Sequence, residues 1–510
     1  MVAVVSAPQA AARDRAAIAA GVPSRALMQR AGAAAAGEIC RRYGARLAGG
    51  VAVYAGPGNN GGDGWVVAGA LAAAGVPVRV AAAGEPRTDD ARAEREGALS
   101  LLADAAPEGG EAVVVDALLG TGSRGAPRGA VGEALARVRA AGARGAAVVS
   151  LDVPSGVDAT TGGADGAVRA ELTLTFGTMK RGLLAARDHC GSIAVLDIGL
   201  GAHAALADGA PSLVTAAWVR ERLGALPADA HKGSRRRIVV LGGAEGMAGA
   251  VVLASRSALR SGVGMVRACV EPASLPVVQG AAPAALARRW PTSDEELDDA
   301  TTGWAHAVVV GPGLGRHDAA RRLLERALAR WRGPVVLDAD ALTAFEGRAA
   351  ELGALLGGRP ALLTPHVVEF ARLAGGTAQD ALDHRFEAGA ALTKATGAAV
   401  LLKGVPTVVT APDGTSLVSA TGTPALATGG SGDVLAGIAG TLLAQTGDPL
   451  ASGACAAWVH GRAAELAGAG RSVRGVALDD VIASLADAWP RGGEAPCYPV
   501  LAELQRVDGA

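Results

Sequence analysis

Apolar residues in this chain gather into short unbroken runs rather than alternating with polar ones. VAVYA (51–55), VRVAAA (78–83), VVVD (113–116), VVSLD (148–152), LTLTF (172–176) and IAVLDI (193–198) are separated by Ala/Leu/Arg stretches with helical spacing. Continuous apolar runs suit strands covered on both faces, and their alternation with helices predicts a parallel sheet joined by crossovers. The pattern lapses over the Ala-rich residues 201–230, where the linker is placed. It resumes with RIVVLGG (237–243), MVRACV (265–270), AVVVGPG (307–313), PVVLDAD (334–340), ALLTP (361–365) and AVLLKG (399–404), and a glycine-rich turn with an apolar helix follows at 427–445. Two α/β domains are therefore expected, at 1–210 and 211–510.

Composition adds limits rather than detail. Half of the 510 residues are hydrophobic but only 3% are aromatic, so the cores must be built from Ala, Val and Leu. A formal net charge of −1 argues against a polyphosphate or membrane-surface binder, and neither a nucleic-acid nor a membrane partner is expected. There is no long uncharged apolar run and no basic segment before the early apolar residues, so the chain reads as a mature cytoplasmic protein. Its five cysteines are scattered without a C-x-x-C and are expected to be reduced core residues.

The chemistry concentrates where the runs end. In parallel sheets, ligands bind beyond the carboxyl ends of strands. GPGNNGGDGW (56–65) follows the first run, and its glycines are expected to adopt positive φ and let a ligand approach the backbone, ahead of a helix starting near Trp65. VVVDALLGTGSRG (113–125) and VVSLDVPSGVDATTG (148–162) end two further runs in Asp116 and Asp152. Each Asp alone fits a helix cap; together they point to a site. Asn60, Asp116 and Ser155 offer oxygen donors suited to a hard cation such as K⁺ or Mg²⁺.

Taken with TFGTMKRGL, these motifs resemble the NAD(P)H-hydrate epimerase family over residues 10–205. The resemblance implies a Rossmann-like three-layer domain. Asn59, Asn60, Gly61, Gly62 and Asp63, with Gly120, Thr121, Gly122, Ser123, Arg124, Gly125 and Ala126, would hold the hydrated dinucleotide. Asp152 would be the acid–base group beside the reacting carbon, and K⁺ would sit on Asn60, Asp116 and Ser155. Lys180 fits either an assisting or phosphate-binding role or a solvated surface position.

In the second domain, ALATGGSGDVLAGIAGTLLAQ (425–445) sets small residues and Asp433 at the head of an apolar helix. Amides of Gly430, Ser431 and Gly432 there would make an anion hole for a phosphoryl group in transfer, with Asp433 taking the proton of an attacking hydroxyl. A plain capping role is the alternative. GPGLG (311–315), LDADALTAF (337–345), LLTPHVVEF (362–370) and LLKGVPTVV (401–409) supply further tips. With HKGSRRRIVVLGG they resemble the ADP/ATP-dependent NAD(P)H-hydrate dehydratase family, of ribokinase-like fold, over 231–485. The resemblance implies Asp433 as catalytic base and as a substrate contact with Ala250, Gly313 and His366. Lys403, Gly404, Val405, Pro406 and Thr407, with Gly430, Ser431 and Gly432, would bind the nucleotide. It also implies ADP as co-substrate, Mg²⁺ on the phosphates with Glu369 near it, and a homo-oligomer. Arg235, Arg236 and Arg237 fit surface residues or phosphate contacts. An ordinary small-alcohol kinase fused to a Rossmann-like domain, and a nucleotide-binding regulator without turnover, share parts of this pattern.

Overall fold

The structure, a computed structural model, describes residues 1–102, 109–491 and 496–507; the parts of the expected domains at 103–108, 492–495 and 508–510 lie outside the described residues. The chain forms two compact units. One is Val2–Leu213 together with Pro496–Val507, and the other is made of the described residues of 214–491.

In the first unit, six of the apolar runs become β1 (Val51–Ala55), β2 (Val78–Ala82), β3 (Val113–Ala117), β4 (Ala147–Leu151), β5 (Leu172–Phe176) and β6 (Ser192–Leu196). They pair in parallel in the order β6, β5, β4, β3, β1, β2. All five residues of β1, β3, β4 and β5 are buried, which is why these runs do not alternate. The strand order reverses at β1, flanked by β2 on one side and β3 on the other. Such a switch point opens a crevice beyond the strand tips. The edge of β6 is taken by an antiparallel strand from the far end of the chain, Val500–Leu504. That segment thus belongs to the first unit and not to the second domain expected at 211–510. Its side chains face buried, intermediate and exposed surroundings by turns, the signature of an edge strand, and Arg42 pairs with Glu503 at 3.0 Å.

The second unit has β7 (Arg237–Leu241), β8 (Met265–Val270), β9 (Leu286–Arg289), β10 (Ala307–Val310), β11 (Val335–Leu337), β12 (Ala361–Leu363), β13 (Ala399–Leu402), β14 (Thr407–Thr410) and β15 (Ser416–Ser419). The order is β9, β8, β7, β10, β11, β12, β13, β14, β15, parallel as far as β13 and antiparallel beyond it. Successive residues of β7 feed opposite cores: Ile238 and Val240 lie in one apolar cluster, Val239 and Leu241 in the other. The helix Ser431–Thr446 is buried along most of its length. Its small residues permit this. A methyl on Gly437 would lie 2.1 Å from the Ala254 carbonyl oxygen, and one on Gly440 would lie 2.2 Å from Val309. Two α/β units with parallel sheets are thus what the runs predict. Cys190, Cys269 and Cys455 are buried, and burial pushes each thiol up to about 12. Cys40 is half-buried, and Cys497, in the returning C-terminal segment, is exposed rather than in a core. No helix among the described residues is long and apolar enough to cross a membrane.

Candidate active sites

The first site lies at the switch point of the first sheet. The helix after β1 starts at Asn59, not near Trp65, so NNGGD forms its opening turns. None of the glycines of residues 56–64 has positive φ. They are small for contact instead: a methyl on Gly61 would lie 1.8 Å from the Gly56 carbonyl oxygen, and one on Gly64 would lie 2.6 Å from Ala117. The helix is thereby pressed onto the tips of β1 and β3.

Asp116, at the end of β3, is fully buried. Its carboxylate accepts from Ser155 Oγ (2.6 Å), Ser155 N (2.8 Å), Ser150 Oγ (2.9 Å) and Leu118 N (3.3 Å). Burial pushes its pKa up, and these hydrogen bonds pull back only part of the way. Ser155 Oγ also accepts from Leu119 N (2.9 Å), and Asn60 Nδ2 donates to the Leu119 carbonyl (2.9 Å). Asn60, Asp116 and Ser155, expected together, therefore meet around Leu119. Asn60 Oδ1 is buried without a partner. An orphaned carbonyl oxygen beside a buried carboxylate and a hydroxyl fits a hard cation.

Asp152, just past β4, holds φ at +63°, a left-handed conformation uncommon outside glycine. Its Oδ1 forms an ion pair with Lys180 at 2.6 Å and accepts from Thr175 Oγ1 at 3.3 Å. Lys180 is buried, which excludes the solvated surface position. A methyl on Gly120 would sit 3.2 Å from Asn60 Cβ and 3.6 Å from Asp152 Oδ2, so two loops and the head of the helix converge there. Asp63 faces the same space. Burial first, then the charges of Asp152 and Asp14, push its carboxyl well above the usual range. Thr121 and Ser123 are half-buried and Gly122, Arg124, Gly125 and Ala126 are exposed, in a loop turned by Ser123 N donating to the Gly120 carbonyl at 3.1 Å.

The second site lies at the strand tips of the second sheet. Gly430, at φ +94°, caps the helix Ser431–Thr446, and Asp433 sits in its first turn. A side chain at 430 would be strained, and its first carbon would also meet Leu253 at 2.7 Å. Ser431 N is not open to a ligand as expected, because it donates to the Thr428 carbonyl at 3.1 Å. The amides of Gly430, Gly432 and Asp433 have no backbone acceptor among the described residues. Burial first, then Asp338, Asp340 and Glu369, push the Asp433 carboxyl up to about 7, against the opposing pull of Lys403.

Lys403 follows β13 directly and reaches Asp338 Oδ1 at 2.7 Å. Asp338, 1% exposed, also accepts from Thr364 Oγ1 at 2.9 Å. A methyl on Gly432 would lie 3.0 Å from Lys403 Nζ and 3.7 Å from Asp338 Oδ2. The ammonium is thus held over the helix N-terminus. Its burial opposes its charge, but Asp338, Glu369 and Asp433 outweigh that and raise its pKa. The stretch Gly404–Thr407 is braced by Arg385, a residue the sequence reading missed, whose Nη1 donates to the Lys403 (3.2 Å) and Pro406 (3.1 Å) carbonyls. Those carbonyls lie about twenty residues along the chain, and no local pattern marks such a contact.

Ala250 and Gly313 come together: a methyl on Gly313, at φ +55°, would lie 3.1 Å from Ala250 Cβ. His366 caps the helix Val367–Ala374 through Nδ1, while Glu369 Oε2 accepts from His366 N at 2.8 Å. Half the histidine side chain remains exposed. The three arginines lie elsewhere, at the start of β7. Arg235 Nε donates to the Gly262 carbonyl, and Arg237 stands over Trp304, so both brace the fold. No group of three or more His, Cys, Asp or Glu among the described residues is arranged to hold a metal.

Residues 238–486 match the family model described as NAD(P)H-hydrate dehydratase, and residues 24–182 match that of the YjeF-related protein N-terminus. The chain is 37% identical over 503 residues to a bifunctional NAD(P)H-hydrate repair enzyme of Salinibacter ruber, covering 91% of each chain. It is 34% identical to one of Escherichia coli over 453 residues, covering 85% of this chain and 84% of that one. Among solved structures, the ADP/ATP-dependent NAD(P)H-hydrate dehydratase of Bacillus subtilis, co-crystallised with ATP and Mg²⁺, aligns at 28% identity with a TM-score of 0.48. That alignment covers 55% of this chain and 98% of that one.

Proposed function

This chain belongs to the bifunctional NAD(P)H-hydrate repair enzymes, and on that premise we propose how its two units divide the repair of hydrated nicotinamide dinucleotides. The first unit interconverts the R and S hydrates. The second dehydrates the S form at the expense of ADP, giving NAD(P)H, AMP and phosphate.

In the first unit, Asp152 is the acid–base group. Leaving and re-addition of the ring hydroxyl need a proton delivered and then removed at oxygen. The open oxygen of Asp152 lies 3.6 Å from where a methyl on Gly120 would sit, beside Asn60. The helix opening at Asn59 and the loop 120–126 frame the dinucleotide. Asn60, Asp116 and Ser155 would hold K⁺, which when bound supplies a fixed positive charge beside the buried carboxylate. The orphaned Asn60 Oδ1 supports this assignment.

In the second unit, Asp433 accepts the proton of the substrate hydroxyl as that oxygen attacks the terminal phosphorus of ADP. The amides at the helix N-terminus and the Lys403 ammonium stabilise the phosphoryl group in transfer. Hydroxide, a poor leaving group, becomes phosphate. The ring nitrogen's lone pair expels it, and loss of a proton from the neighbouring carbon restores the dihydronicotinamide. Ala250, Gly313 and His366 would meet the dinucleotide, and Lys403–Thr407 the adenine nucleotide. The observation that carries this reading is the clustering of Asp433, Lys403 and Asp338 over Gly432.

The test is incubation with hydrated NADPH and ADP, with ATP and no nucleotide as controls, following dihydronicotinamide absorbance and AMP. ADP-dependent recovery of NADPH with stoichiometric AMP is expected. A stable phosphorylated product, or recovery without nucleotide, overturns the reading.

A further inference from the structure

The buried Lys180 is not consumed by the chemistry above. Three oxygens surround its ammonium: Asp152 Oδ1 at 2.6 Å, the Phe176 carbonyl at 2.8 Å and the Thr178 carbonyl at 3.3 Å. An ammonium has three protons to give, so none is left for a substrate phosphate. Its side chain is 3% exposed, and that of Asp152 is 13% exposed.

The carboxylate it holds is asymmetric. Oδ1 takes the lysine and accepts from Thr175 Oγ1 and the Phe176 amide. Oδ2 has no hydrogen-bond partner among the described residues and points toward Gly120. Two other carboxylates face the pair, Asp63 from the helix Asn59–Ala73 and Asp14 from the helix Ala7–Ala19, with Arg15 beside Asp14. A single ammonium among three carboxylates selects the one it touches. Left-handed backbone at Asp152 costs energy that the lysine contact helps offset.

We propose that Lys180 is a positioning residue of the epimerase: it pins Oδ1 of Asp152 so that Oδ2 alone exchanges protons with the hydroxyl-bearing carbon's oxygen. Lys180 neither binds phosphate nor donates the proton. The inference rests on the reading of Asp152 as the acid–base group.

A double-mutant cycle on the full chain tests it, with Lys180→Met, Asp152→Asn and the double variant. R-to-S conversion is followed without ADP by chromatographic separation of the two hydrates. Dehydration of S-hydrate in the same preparation is the control, and thermal unfolding is recorded for each variant. Lys180→Met should lower kcat by roughly tenfold or more with KM nearly unchanged, as for an interaction that matters only in the reaction step. The double variant should be no slower than Asp152→Asn alone, since coupled residues are not additive. Lys180→Arg, which keeps the charge, should recover part of the rate and serves if the methionine variant does not fold. A raised KM with unchanged kcat in either lysine variant, or losses that multiply in the double variant, overturns the proposal. An Asp152→Asn enzyme at the wild-type rate overturns the acid–base reading itself, and the inference with it.

Discussion

Asp338→Asn isolates the electrostatic support of the dehydratase site. Asn keeps the shape and an acceptor for Thr364 and Lys403 but removes the charge. In the native site a 2.7 Å ion pair joins a carboxylate that is 1% exposed to an ammonium that is 18% exposed. Lys403 stays charged and still donates to Asn, so the change removes only the second charge of the pair. Close charge pairs couple by about 1.5–7 kcal/mol, and with Glu369 and Asp433 still acting on the ammonium a loss near the low end, about 1–2 kcal/mol, is expected at Lys403. If that loss is felt in phosphoryl transfer, kcat/KM for S-hydrate falls roughly 5- to 30-fold. A second effect has the opposite character. Asp338 is the largest charge raising the Asp433 carboxyl, so its neutralisation lets that carboxyl ionise at lower pH. The assay is ADP-dependent NADPH recovery from S-hydrate across pH, with R-to-S conversion as an internal control of the other unit. The reasoning fails if the variant keeps the wild-type rate and an acid limb in the wild-type position.

Three further outcomes follow from the same geometry. For the wild-type dehydratase, Asp433 must lose its proton before it can accept one, so kcat/KM should rise with pH through about 7, the value to which burial and its acidic neighbours push it; a flat profile from pH 5 to 8 contradicts this. Gly120→Ala places a methyl 3.2 Å from Asn60 and 3.6 Å from Asp152 Oδ2, so epimerisation should fall at least about tenfold by obstruction, with dehydration unchanged. If Asn60 Oδ1 helps bind K⁺, saturating K⁺ in place of a large organic cation should raise the melting temperature of the first unit by about 5–10 °C, from ~2.7 kcal/mol at a hundredfold excess over Kd, and Asn60→Ala should abolish the shift.

The strands were legible because a parallel sheet buries both faces, and runs such as VAVYA and MVRACV admit few other structures. Glycine positions were legible but their purpose was not. At Gly61 and Gly64 the side chain is missing because another segment occupies the space, and only the packed fold reveals that neighbour. The convergence of strand tips at one edge of each sheet explains why motifs far apart in sequence meet: Asn60 with Asp116 and Ser155, Ala250 with Gly313, and Asp433 with Lys403. Residues that act through long-range contacts left no local signal. Arg385, Thr364 and the buried state of Lys180 are of this kind, as is the return of Val500–Leu504 to the first sheet. The Ser431 amide was misjudged because the turn from Thr428 uses it internally.

The most direct test of the central claim is Asp433→Asn, assayed for ADP-dependent phosphate release with S-hydrate and, separately, for ADP binding by calorimetry. Phosphate release should fall by ~10²-fold or more, as for loss of a general base, while ADP binding persists. Phosphate release at the wild-type rate would show that some other group takes the hydroxyl proton.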